Sequence, residues 1–332
     1  MKLSILDQSP ISSGKRAQEA LQASMQLAVE GEKLGYTRYW IAEHHNFSGL
    51  SCSAPEVMLS YIGANTEKIR LGAGAVLLPH YKPYRVAETY NMLATLFPDR
   101  IDLGIGRAPG GSAEASIALS DNYLENVRKV PDYTKQLLHF LHNDFPSDDM
   151  FSKIQAAPVP EIPPVPWILG TSQKSADLAA ELGTAYAFGH FMSDKPGHEI
   201  VASYQKSFQP KSLLKTAKTI VAVSVICAET TERAEELALP GILWRKQNAA
   251  GEGSGVPTLE EAQSSFSIEE QKQLILEAKR KMMIGTPQEV KKELQRLQEI
   301  YHTDEIMIVT ITHSYEDRKK SYELLAKHVL ST

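Results

Sequence analysis

The sequence is poor in cysteine. Its 332 residues contain two, Cys52 and Cys227, too few for a disulfide framework or a Cys-rich zinc site. Long hydrophobic runs are also missing. No stretch approaches the ~18–20 apolar residues of a membrane span. The N-terminal apolar run, Leu3–Leu6, stops at Asp7, so it does not form the core of a signal peptide. These absences lead us to expect a protein of the cytoplasm with no membrane partner. Excess positive charge is lacking too. Against 40 Asp+Glu there are 35 Lys+Arg, a net charge of −5, whereas a general nucleic-acid binder needs a basic face. No HExxH or similar ligand spacing occurs, and no metal is expected.

What is present is an ordinary globular composition, 42% hydrophobic and 23% charged. Short β-rich runs alternate with amphipathic helical stretches. The runs are Leu3–Leu6, Arg38–Ala42, Ile69–Leu77, Ile101–Ile105, Trp167–Gly170, Ala185–Gly189, Thr219–Cys227 and Glu305–Thr310. Most are continuously apolar, as strands covered on both faces are. Between them, Val86, Tyr90, Leu93 and Phe97, and likewise Val290, Leu294, Leu297 and Tyr301, recur at helical spacing. Eight such units predict an α/β fold, a (β/α)8 TIM barrel with insertions; a doubly wound sheet is the alternative. Length alone suggests two domains, but eight units account for residues 1–332 as one barrel domain with two excursions. Residues 144–166 carry Pro146, Pro158, Pro160, Pro163, Pro164 and Pro166, which exclude a central strand or helix interior. Residues 245–265 contain Gly251, Gly253 and Gly255 in a polar run and read as a flexible loop, either a lid or an ordinary insertion.

Barrel enzymes place their chemistry at the C-terminal ends of strands. The second run ends in Glu43-His44-His45-Asn46, an acid–base candidate, with a structural role or a metal site as rivals. His44 and His45 should face opposite ways, because successive strand residues do. Ala73-Gly74-Ala75 in the third run fits either a flat ligand lying close to backbone or tight packing inside a barrel. The fourth run leads into Gly104-Ile105-Gly106-Arg107-Ala108-Pro109-Gly110-Gly111, which resembles a dinucleotide-binding loop but has Pro109 at its last glycine. Arg107 there suits bidentate phosphate binding, or a surface ion pair. After the fifth run, Thr171, Ser172 and Ser175 surround a helix start, as an anion site or as plain N-caps, and Lys174 adds charge. His190, at the sixth exit, is a pocket or a rim residue. The remaining histidines, His80 among them, receive no role.

These motifs resemble the bacterial luciferase-like flavin monooxygenase family. The resemblance rests on Tyr39–His45, Gly72–Pro79, Arg100–Gly110 and Trp167–Ser172 with Ser175, and on Gly285-Thr286-Pro287 with Asp304–Ile308 near the end. It covers nearly the whole chain and lies closest to a branch of mostly unassigned substrate. It implies a (β/α)8 barrel, usually a homodimer. The implied cofactor is reduced FMN supplied by a separate NAD(P)H:flavin reductase, or, in some branches, the deazaflavin F420. It implies that His44 is the catalytic histidine and that Arg107, Thr171, Ser172 and Ser175 surround the flavin phosphate. Ala73, Gly74 and Ala75 would lie beneath the ring, with a non-prolyl cis peptide at Gly74–Ala75. Gly106 and Thr171 stand where the luciferases proper carry a cysteine and a glutamate, so light emission is not expected. The implied reaction is oxygenation of a small organic substrate. Its rivals are hydride transfer on the same site, a non-catalytic flavin-binding protein, and a flavin-free barrel acting on sugar phosphates.

Overall fold

The computed structural model describes residues 1–211 and 214–330. Ten strands occur among the described residues: β1 (Lys2–Asp7), β2 (Arg38–Ile41), β3 (Arg70–Ala73), β4 (Val76–Leu77), β5 (Ile101–Gly106), β6 (Val165–Gly170), β7 (Ala185–Gly189), β8 (Thr219–Cys227), β9 (Met282–Gly285) and β10 (Glu305–Val309). Every pairing between them is parallel. The order β10-β1-β2-β3-β5-β6-β7-β8 closes through a β8–β10 ladder, giving an eight-position barrel. Helices fill the crossovers, and the (β/α)8 expectation holds.

Alternation along the strands builds two apolar layers. Residues such as Ile5, Ile41, Leu103 and Val223 face the helices. Leu6, Trp40, Trp167, Ala187, Ala222 and Met307 fill the barrel interior. The N-terminal end of the barrel is closed by charge. The Arg38 guanidinium pairs with Asp102 (2.6 Å) and Glu305 (2.5 Å) and lies 4.9 Å from the Trp167 ring. Arg70 reaches the second Asp102 oxygen at 2.9 Å. Burial works against ionising Asp102, but Arg38 and Arg70 overcome it and hold the carboxyl below the usual range. The plug leaves the opposite, C-terminal end as the open one.

Four local features differ from the sequence expectation. The third run is two strands, interrupted at Gly74–Ala75, whose peptide bond is cis. A strand absent from the eight runs, β9, pairs with Ser224–Cys227 of β8, beyond the stretch Thr219–Ala222 that pairs with β7. Residues 144–166 were expected to exclude a central strand, yet Val165 and Pro166 begin β6. The missing N–H is tolerated because β7 joins only from Trp167 onward, leaving Pro166 with a neighbour on one side. Finally, residues 245–265 are not a free loop. The helix Thr231–Ala249 runs into them and the helix Leu259–Ser264 ends them. The turn between is bonded to the mouth of the barrel: Trp244 Nε1 donates to the Ser254 carbonyl at 2.9 Å, and Val256 N to that of Ile11 at 2.7 Å.

Candidate active site

A cavity of about 360 Å³ opens at the C-terminal ends of the strands. Its walls are mostly apolar, with Leu6, Trp40, Leu77, Leu169, Phe191 and Met307 prominent, and His44 is one of its few polar side chains. The chain folds that way because β2 ends at Ile41 and the backbone turns there: His44 N donates to the Cys52 carbonyl at 2.9 Å. The imidazole Nδ1 is buried without a hydrogen-bond partner. Burial, with a further contribution from His45, pushes its pKa down to about 4. At neutral pH it is an uncharged imidazole.

His45 turns away from the cavity, which past the end of β2 at Ile41 follows from the turn and not from strand alternation. Its Nε2 lies 2.7 Å from Glu43 Oε1. The buried Glu43 carboxylate also accepts from the Tyr81 hydroxyl at 2.6 Å and from Leu77 N at 3.1 Å. Burial and Glu43 together push the Tyr81 phenol up. Glu43 is therefore committed to holding the exits of β2 and β4 together.

The small third run divides into three functions. Gly72 serves packing, since an added Cβ would meet Trp40 Nε1 at 2.5 Å. Ala73, expected against a ligand, is instead buried in the layer between strands and helices, because it sits one residue out of phase with the interior. Gly74 and Ala75 line the cavity, and Gly106 lies beside them on the neighbouring strand, where a Cβ would come 3.0 Å from that of Ala75.

A second cavity, about 340 Å³, adjoins the first through Gly106, Arg107, Val127 and Leu169. Arg107, Arg128, Lys174 and Ser175 line it, and no acidic side chain does. Arg128 carried no motif and was not foreseen; it ends the short helix Tyr123–Arg128 and becomes visible as a partner of Arg107 only in three dimensions. The hydroxyls divide between two duties. Thr171 and Ser172 line the first cavity. Ser172 also caps the helix Gln173–Leu182 in a reciprocal box with Ser175. The Ser175 hydroxyl donates to the Ser172 carbonyl at 2.7 Å and lies 3.2 Å from the Tyr186 hydroxyl. His190 does not reach the main cavity: its Nδ1 lies 2.9 Å from the Tyr301 hydroxyl, and its ring lines an outer pocket beside β9. Among the described residues no cluster of His, Cys, Asp or Glu could hold a metal ion. Nor is any helix there long and apolar enough to cross a membrane.

The luciferase-like monooxygenase profile matches residues 1–304. YwcH of Bacillus subtilis (strain 168), an uncharacterized protein, is 44% identical over 98% of both chains. The N-acetyl-S-alkylcysteine monooxygenase of the same organism is 35% identical, covering 100% of this chain and 99% of its own. The crystal structure of apo-MsnO8 superposes with a TM-score of 0.88 at 31% identity, covering 100% of this chain and 99% of that one. The chain belongs to the luciferase-like monooxygenase family, and is thereby an oxidoreductase.

Proposed function

We propose that this protein, working as one barrel domain over residues 1–332, is a flavin-dependent monooxygenase. It would take reduced FMN from a separate NAD(P)H:flavin reductase and, with O2, oxygenate a small organic substrate. The observation that carries this reading is the pair of adjoining cavities: an apolar slot floored by Gly74–Ala75, continuous with a pocket of cations that no carboxylate opposes. The residues fit the cofactor. Arg107, Arg128 and Lys174 would receive its phosphate, Arg107 as a two-pronged donor. Ser172 and Ser175 are occupied in capping, so they would contribute mainly by orienting the helix start. Gly74, Ala75 and Gly106, small residues side by side on the cavity wall, would let a flat ring lie close against backbone.

Bound reduced flavin supplies the reaction with O2; this chain positions it and manages protons and water. His44 would do so as a neutral imidazole beside the ring, able to give or take one proton at an unpartnered nitrogen. The turn over residues 250–258, bonded to the loops after β1 and β2, would exclude water from that side. The remaining walls favour an uncharged, apolar group next to His44, and the S-alkyl chain of the substrate of the 35% identical relative has that character.

The homodimer has physical support in an exposed stripe. Val57 and Tyr61 on the helix Pro55–Gly63, and Met92 and Leu96 on the helix Pro83–Leu96, are each four residues apart and between 42% and 64% exposed. A second copy would cover them. The functional reading is tested by anaerobic titration with reduced FMN and with reduced F420, followed by O2 and mass analysis of the product from N-acetyl-S-alkylcysteines and simple alkyl thioethers. FMN binding with oxygen gain in the product is the expected outcome. Preference for F420, with turnover that needs no O2, would replace the reading with hydride transfer.

A further inference from the structure

His80 ends the short turn Leu78–His80 that follows β4, and it is 8% exposed. The stretch 107–128 is fastened to this turn at several points. His80 Nε2 lies 2.9 Å from the Pro109 carbonyl oxygen. A carbonyl only accepts, so Nε2 carries the proton it donates there, while Nδ1 is buried without a partner. The Tyr123 ring stacks on the imidazole, centroids 5.0 Å apart at 24°. Asn126 Nδ2 donates to the Pro79 carbonyl at 2.9 Å, and the Tyr123 hydroxyl donates to the Arg107 carbonyl at 3.0 Å. On its other side the His80 ring meets the edge of His45, 5.9 Å away.

The stretch so held has little core of its own. The helix Tyr123–Arg128 buries no residue, and Ile117 and Leu124 are 73% and 76% exposed. Yet its two ends carry Arg107 and Arg128, which line the same cavity with no acid between them. Like charges facing one cavity repel, and a segment without a core would let them drift apart. Opposing that drift are the contacts centred on His80, alongside His45 N, which donates to the Gly110 carbonyl at 2.7 Å, and Asn46 Nδ2, which donates to Ser112 Oγ at 3.2 Å; the His80 set is the one that reaches the Arg128 end.

We propose that His80 is a positioning residue for phosphate recognition: its ring stack with Tyr123 and its bond to Pro109 hold Arg107 and Arg128 on a common anion. The proposal rests on the FMN reading and adds to it a residue that touches neither the ring nor the phosphate. It makes a distinction that a purely structural role does not. Loss of the clasp should weaken ligands that carry the phosphate and spare those that lack it.

The test compares binding of reduced FMN with reduced riboflavin, anaerobically, by the wild-type protein and by His80→Asn, His80→Phe and Tyr123→Ala. Asn keeps a donor and loses the stack; Phe keeps a ring face and loses the bond. Tyr123→Ala removes the stack from the surface side, away from the barrel. Wild type should bind FMN more tightly than riboflavin. Each variant should weaken FMN by about tenfold while riboflavin stays within about twofold, and the salt dependence of FMN binding should flatten. Equal weakening of both ligands in variants with native circular dichroism would make His80 merely structural and overturn the proposal; so would unchanged FMN binding. A wild type that binds FMN and riboflavin alike would instead remove the phosphate cradle itself, a failure visible before any variant is made.

Discussion

His44 combines a place on the cavity wall with an unpartnered buried nitrogen and a pKa near 4. An imidazole left free of structural hydrogen bonds is available for chemistry. His44→Ala should leave FMN binding intact and lower kcat by ~10²–10⁴-fold, the usual worth of a positioned proton-transfer group. The acid limb of kcat/KM should fall near pH 4, not 6.5, because protonation there turns the acceptor into a cation. The same depression has a stability consequence. Between pH 6.5 and 4 the unfolded chain binds a proton at His44 that the folded chain does not, so stability is full above 6.5 and declines as pH falls through this window. Urea midpoints across that range should show the slope in wild type and a flatter line in His44→Asn. Gly104 supplies a purely structural counterpart. An added Cβ would sit 2.0 Å from the Ala73 carbonyl oxygen, so Gly104→Ala should destabilise by ~3 kcal/mol, read from the urea midpoint.

At the scale of elements, the charged plug and the open mouth assign opposite duties to the two ends of the barrel. Asp102 joins β5 to β2 and β3 through Arg38 and Arg70. Asp102→Asn would leave buried Arg38 with Glu305 as its remaining counter-charge and deprive the partly buried Arg70 of its nearer one, and should cost ~3 kcal/mol with no specific effect on flavin affinity. In wild type the Asp102 contribution is present above its unfolded value of about 3.8 and is lost as pH falls below that. The barrel strands were legible in the sequence because continuous apolar runs are what parallel strands covered on both faces require. β9 was not: its four residues, Met282–Gly285, follow Lys279-Arg280-Lys281 and are too short to carry a period. The break in the third run was also invisible from periodicity, since apolar character continues across it; the resemblance alone pointed to Gly74–Ala75. His44 and Arg107 could be named because strand exits mark them; Gly74 lies inside its run and stood out only as one of three consecutive small residues. Ala73 was misplaced by one step of alternation. Arg128 and His80 had no local signal, since what places them is the folding back of residues 107–128 onto the turn after β4.

For the whole molecule, closure between β8 and β10 and between β1 and β10 brings the first and last parts of the chain into one wall. Away from that wall, the helices over β2, β3 and β5 carry exposed apolar residues. Those on the helices Pro55–Gly63 and Pro83–Leu96 are remote in sequence yet alike in spacing. Tyr61→Glu with Leu96→Glu should convert a dimer to monomers in sedimentation equilibrium while leaving the isolated barrel folded; a wild-type protein that is monomeric at micromolar concentration would remove the dimer. The proposed reaction at the mouth would place one atom of O2 on the substrate and release the other as water, with reduced FMN as the reductant. It is tested most directly by single-turnover reaction of the protein loaded anaerobically with reduced FMN, then mixed with an alkyl thioether or N-acetyl-S-alkylcysteine and ¹⁸O2. ¹⁸O in the product, and its loss in His44→Ala at unchanged FMN occupancy, is the expected result. Product formed without O2, or product free of ¹⁸O, would contradict it.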